Sequence, residues 1–262
     1  MIDTHAHIDG DEFLDDLDQV LENAKDNGIT KIFIPNINMD TINRIIQLSD
    51  TYPDFLYPMI GIHPEDVNTD KNHMDKCLCQ IRNMLNDDKE GPKRFIAIGE
   101  VGLDLYWDQS FKDLQIYVFE KQVQMAVEFN IPLMIHSRNA HKELIHVLNP
   151  YKDITKGVFH CFTGTEEEAE ELLDFKNFFL GVGGVSTFKK SILPQTLKNV
   201  VPVSKIVVET DSPYLSPHPL RGTVNEPKNI ALVIDEITRI KGLSKKHILD
   251  VVYENSCKLF NV

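Results

Sequence analysis

Short runs of β-branched and other apolar residues alternate along the chain with longer amphipathic stretches, the pattern of repeated strand and helix units. Eight runs read as strands, at 2–8, 31–37, 56–63, 95–103, 132–137, 157–163, 178–185 and 205–210, each followed by a helical pattern. In DEFLDDLDQVLENAKDNG, after the first run, Phe13, Leu14, Leu17, Val20, Leu21 and Ala24 recur at helical spacing. Asn27-Gly28 closes that helix, 111–130 repeats the pattern, and 227–241 and 244–260 read as the last two helices. Eight such units in 262 residues fit a (β/α)8 TIM-type barrel, whose usual size is about 250 residues. An open doubly wound sheet has the same periodicity, so the two are separated by where the chemistry falls. A barrel gathers the C-terminal ends of all its strands around one mouth, whereas an open sheet spreads them in a row.

The polar residues at those strand ends are of one kind. Of ten histidines, five fall at or just inside them: His5 and His7 on the first strand, His63 on the third, His136 on the fifth and His160 on the sixth. Glu100 ends the fourth, and Glu209 and Asp211 end the eighth. Strand alternation puts Asp3, His5 and His7 on one face, and two imidazoles converging from one strand form a metal clamp. Asp3, Glu100, Glu209 and Asp211 gathered in an apolar barrel repel one another and lose hydration, which calls for a cation or raised pKa values. Two divalent metals meet that need, and the mixed ligand set admits Zn, Mn or Mg.

Composition narrows the field. The formal charge of -13 argues against a broad basic surface for gripping duplex nucleic acid, while leaving room for a local phosphate site. Cys77, Cys79, Cys161 and Cys257 form no CxxC pair, as expected of free thiols in a reducing cytoplasm. No apolar run approaches the roughly 20 residues of a membrane span. With 2–8 read as a core strand rather than a signal segment, the expectation is a cytoplasmic protein without membrane contact. No linker or low-complexity segment divides the chain, so 1–262 reads as a single domain. GVGGVS at 181–186 lacks the GKS or GxGxxG context of a phosphate cradle, so Gly181, Gly183 and Gly184 read as close backbone packing.

Seven segments in order complete the picture: DTHAHID at 3–9, GIHP at 61–64, IGEVGLD at 98–104, IHSR at 135–138, HCFTG at 160–164, ETDSPYL at 209–215 and LRGTVNEP at 220–227. Together they resemble the signatures of TatD-type metal-dependent deoxyribonucleases, within the amidohydrolase superfamily. The resemblance implies a barrel with a two-metal site, in which His5, His7 and Asp211 hold one ion, His136 and His160 the other, and Glu100 bridges them. Where related amidohydrolases use a carbamylated lysine as bridge, this chain has Glu100. His63 and Glu209 carry over as additional ligands or water-positioning groups, with Asp211 the first and Glu209 the second candidate to accept the proton of the attacking water.

For the substrate, Arg138 and Arg221 are the cations expected to grip phosphate, with Lys189 and Lys190 reading as ordinary solvated lysines. Trp107, with Tyr106, Phe162 and Tyr214, could stack unpaired bases at the mouth. The expected activity is hydrolysis of single-stranded or frayed DNA ends, 3' to 5', and of RNA, by a monomer with two divalent ions. The alternatives are an amidohydrolase acting on a small amide or ester, including an aminoacyl-tRNA ester, and a metal-binding scaffold without catalysis.

Overall fold

The computed structural model describes residues 1–68, 70–88 and 93–262. Among these residues eight parallel strands, β1 Ile2–Asp3, β2 Lys31–Ile34, β3 Leu56–Pro58, β4 Ile98–Asp104, β5 Leu133–Arg138, β6 Gly157–Phe159, β7 Phe178–Val182 and β8 Ile206–Val208, form ladders in the orders β1-β2-β3 and β4-β5-β6-β7-β8. Two single bridges close the seams: Ile60 to Ile98 joins the third strand to the fourth, and Ala6 to Ser212 joins the first to the eighth. Main-chain bonds from Ile96 N to Pro58 O and from Thr4 N to Val208 O, each 3.1 Å, hold the same seams. The protein is a (β/α)8 barrel.

Among the described residues nine α-helices surround it: α1 Leu17–Asp26, α2 Ile42–Thr51, α3 Lys71–Asp87, α4 Lys112–Phe129, α5 His141–Leu148, α6 Glu166–Leu173, α7 Leu193–Asn199, α8 Ile230–Lys241 and α9 Lys245–Phe260. Side-chain caps start several of them. Asp70 accepts from His73 N at the head of α3, and Ser244 accepts from His247 N at the head of α9. Thr165 and Glu168 form a capping box on α6, whose acidic first turn suits the positive end of the helix. The first helix is shorter than its periodicity suggests: Phe13 is buried in a separate 3-10 turn, and Leu14 is exposed. Among the described residues no helix is long and apolar enough to cross a membrane.

Two apolar clusters set the layers. The larger lies between strands and helices. The smaller takes one residue from each strand or its edge, Ile2, Phe33, Met59, Ala97, Met134, Val158, Phe179 and Val207, together with Leu259 and Phe260 from the end of α9. These eight line the barrel interior, and Phe260, 4.7 Å between ring centroids from Phe33, closes its floor. Two residues further along β5, and two beyond Val158 and Val207, the same inward face carries His136, His160 and Glu209. The apolar floor thus supports a polar mouth.

Several strands are shorter than the expected 2–8, 31–37, 56–63 and 205–210. His5, His7, His63, Glu209 and Asp211 accordingly sit just past the ladder. At the mouth the chain leaves regular pairing, and single bridges and loop hydrogen bonds aim the side chains inward.

Candidate metal centre

Glu100, on β4, is the hub. It is 2% exposed, and its two oxygens face different histidines. Oε2 lies 3.2 Å from His5 Nε2 and 3.4 Å from His7 Nε2. Oε1 lies 2.9 Å from His136 Nδ1, 3.2 Å from His160 Nε2 and 3.3 Å from His63 Nε2. Asp211 Oδ1 joins the first group, 3.7 Å from both His5 Nε2 and His7 Nε2, which are themselves 3.1 Å apart.

These separations suit a cation. A tetrahedral shell with bonds of ~2.0–2.1 Å has edges of about 3.4 Å. The donors His5 Nε2, His7 Nε2, Glu100 Oε2 and Asp211 Oδ1 show five such edges between 3.1 and 3.7 Å. His5-His7-Asp211, His63-Glu100-His136 and His5-Glu100-His160 are each compact enough to hold an ion. The residues present therefore fit divalent metal.

The electrostatics of the bare cluster point the same way. Burial opposes ionisation of Glu100, but His63, His160, His5 and His136 outweigh it and hold its carboxyl well below the ordinary range. Burial likewise disfavours a charged His160, yet Glu209 and Glu100 raise its pKa well above normal. His136, partly buried between Asp104 and Glu100, is pushed up to about 9, and Glu100 and Asp211 lift His7 against its burial. His5 goes the other way, held far below its usual value by burial and by the neighbouring His160. Burial raises Asp211 to about 6. The raised pKa values of His7, His136 and His160 favour protonated rings where cations would bind, and metal binding would displace those protons.

A surrounding layer holds the candidate ligands in place. His160 Nδ1 donates to Glu209 Oε1 at 3.1 Å, and Cys161 N donates to the same oxygen at 2.5 Å. Glu209 therefore stands behind His160 and outside the lining of the cavity, placed to hold that ring. Gly181 makes room for it, because a Cβ there would lie 2.4 Å from Glu209 Oε2. A Cβ on Gly184 would meet Leu215 O at 2.1 Å, so this glycine segment serves close packing. Asp3 also turns from the cluster: its carboxylate accepts from Thr210 N at 3.0 Å and Thr210 Oγ1 at 2.6 Å, bracing β1 against the segment that carries Asp211. Burial raises its pKa to about 8.

Asp104 escaped the sequence reading. It is buried, receives His136 Nε2 at 3.1 Å, and lies 4.0 Å from Arg138 Nη1. Its signal was present, since Glu100, Gly102 and Asp104 alternate on β4.

The whole chain also has known counterparts. Residues 2–261 match the family described as TatD related DNase. The chain belongs to that family. The metal-dependent hydrolase YabD of Bacillus subtilis is 36% identical over 100% of this chain and 99% of its own length. TatD of Pantoea ananatis, named a 3'-5' ssDNA/RNA exonuclease, is 28% identical over the full length of both. The structure of the TatD homologue YjjV from Escherichia coli superposes with a TM-score of 0.91 at 28% identity, over 100% of this chain and 98% of that one. The protein is thus a metal-dependent hydrolase of the TatD family.

Around this TatD-family centre lies a cavity of about 350 Å³ reached by His7, His63, Glu100, His136, His160 and Asp211. On one side the Arg138 Cζ lies over Tyr106, 3.9 Å from its centroid, and 5.3 Å from that of Trp107, which is 71% exposed. Arg221, on the loop after β8, lies over Phe188 at 3.8 Å. Tyr214 is exposed and meets His7 edge to face at 6.0 Å between centroids. Phe162 is buried, packed with the core and at the edge of a neighbouring cavity beside His160. Lys189 and Lys190 are exposed.

Proposed function

We propose that this hydrolase is a two-metal phosphodiesterase that trims single-stranded or frayed DNA, and RNA, from the 3' end. In this reading 1–262 forms one domain that works as a monomer in the cytoplasm. The observation that carries it is the division of Glu100, whose oxygens face two separate sets of imidazoles. A single ion would leave one set unused. His5, His7 and Asp211 with Oε2 would hold one ion, and His136, His160 and His63 with Oε1 the other. His63 stands as close to the hub as the expected ligands, which favours the ligand role over water positioning or substrate contact. The relatives named as exonucleases support the polymer and the direction.

Bound divalent ions, whether Zn, Mn or Mg, would activate a water and balance charge on the attacked phosphate. The chain's own groups do the rest. Asp211 reaches the cavity and accepts the water's proton, a role that Glu209, committed to His160, cannot share. Arg138 and Arg221 present their guanidinium edges to phosphate oxygens, each seated over an aromatic ring. Trp107 offers a face for an unpaired base.

The test is a panel of Zn, Mn, Mg and no metal, assayed on single-stranded DNA, duplex DNA, RNA and acyl esters. Metal-dependent release of mononucleotides from single strands, lost in folded His136→Ala and Glu100→Ala, supports the reading. Turnover of acyl esters with intact DNA and RNA would replace it with the amidohydrolase alternative.

A further inference from the structure

The space around the metal centre is charged unevenly. Beyond the ligands, the wall of the 350 Å³ cavity is Asp9, Gly10, Ile37, Glu65, Asp66 and Tyr214, and among the described residues no lysine or arginine lines it. Asp9 is only 8% exposed, and its Oδ1 has no hydrogen-bond partner. Asp66 is held by Asn38 Nδ2 at 2.9 Å, and Glu65 is exposed at the rim. Arg44, 3.6 Å from Asp11, is not part of the wall. A second cavity of about 440 Å³ also touches His160, and its wall sets Arg138 and Lys142 against Glu143 and Glu168. His160 therefore separates an acidic space from one of balanced charge.

We infer that the acidic cavity receives the terminal nucleoside of the strand with a free 3'-hydroxyl, and rejects an end that carries a 3'-phosphate. The inference rests on the exonuclease reading above. Asp9 Oδ1 is unpaired but closed to solvent, so Asp9 bears on a ligand through its charge, while the exposed Glu65 in the same wall offers an acceptor to a sugar hydroxyl. A phosphomonoester supplies about 1.5 to 2 negative charges and three acceptor oxygens, which here face Asp9, Glu65 and Asp66. The scissile phosphate has the metal centre to meet its charge; a second phosphate on the same nucleoside has only carboxylates. The polyanionic remainder of the strand leaves along the side of Arg138 and Lys142.

The experiment compares single-stranded DNA of one sequence, 5'-labelled, ending in a 3'-hydroxyl or a 3'-phosphate, with the metal-loaded full chain. The same protein is titrated calorimetrically with deoxyadenosine 5'-monophosphate and deoxyadenosine 3',5'-bisphosphate. The hydroxyl end is expected to be cleaved with a kcat/KM at least about tenfold higher, and the monophosphate to bind at least about tenfold tighter, because like charges brought together discriminate strongly. Asp9→Asn, and independently Glu65→Gln on the exposed rim, should narrow both ratios by improving the phosphorylated ligand. Equal cleavage of both ends, or ratios unmoved in both variants, overturns the inference while the nuclease reading stands. Failure to cleave the hydroxyl-ended strand at all removes the nuclease reading and the inference with it.

Discussion

His160 is held from both sides: its Nε2 faces Glu100, its Nδ1 is bonded to Glu209, and its ring stacks on His5 with centroids 3.7 Å apart. If Glu209 fixes the ring in the metal-binding orientation, Glu209→Gln should weaken metal affinity by ~10-fold, the lower end of what such supporting carboxylates contribute. Competition against a chelator measures this directly. Unchanged affinity would mean that the stack on His5 suffices. At this scale the sequence spoke clearly where spacing itself carries the chemistry. His5 and His7 are two apart, and Glu100, His136 and His160 end runs of apolar residues. Asp104 could have been found by the same alternation. Asp9, Glu65 and Asp66 could not, because their convergence depends on how loops after β1 and β3 meet across the mouth, a tertiary fact without a local signature.

The elements were legible as to type and order, and the last two helices fall within a few residues of their expected limits. Strand ends were not, because the backbone stops pairing where the mouth begins while the apolar pattern continues. Ile60 and Ile62 beyond β3 remain fully or almost fully buried without being ladder residues. The loop after β4 carries Tyr106 and Trp107, and the Arg138 stack gives it a fixed polar edge. If Trp107 is a base platform, Trp107→Ala should raise KM for single-stranded DNA about tenfold, from the ~1–3 kcal/mol typical of one stacked base, with kcat nearly unchanged. Steady-state kinetics on short oligonucleotides separates the two. A fall in kcat at constant KM would assign the ring to shaping the site instead.

For the whole molecule, periodicity left barrel and open sheet equal, and the placement of His and carboxylate residues at strand ends favoured closure. The structure supplies the reason: the bridges Ile60 to Ile98 and Ala6 to Ser212 close seams that no single run encodes. Closure also needs a floor, given by Phe260 against Phe33. Phe260→Ala should cost about 3–5 kcal/mol of stability, read from urea unfolding, while metal content at saturation stays unchanged. Loss of metal with intact stability would place Phe260 in the wrong role.

The central claim is that Glu100 bridges two ions which together serve phosphodiester cleavage. Its most direct test is to titrate metal into the stripped protein while recording nucleotide release from single-stranded DNA. Activity should rise to a break at two ions per chain, and folded Glu100→Ala should show neither the break nor the activity. Full activity at one ion per chain, or with none bound, would contradict it.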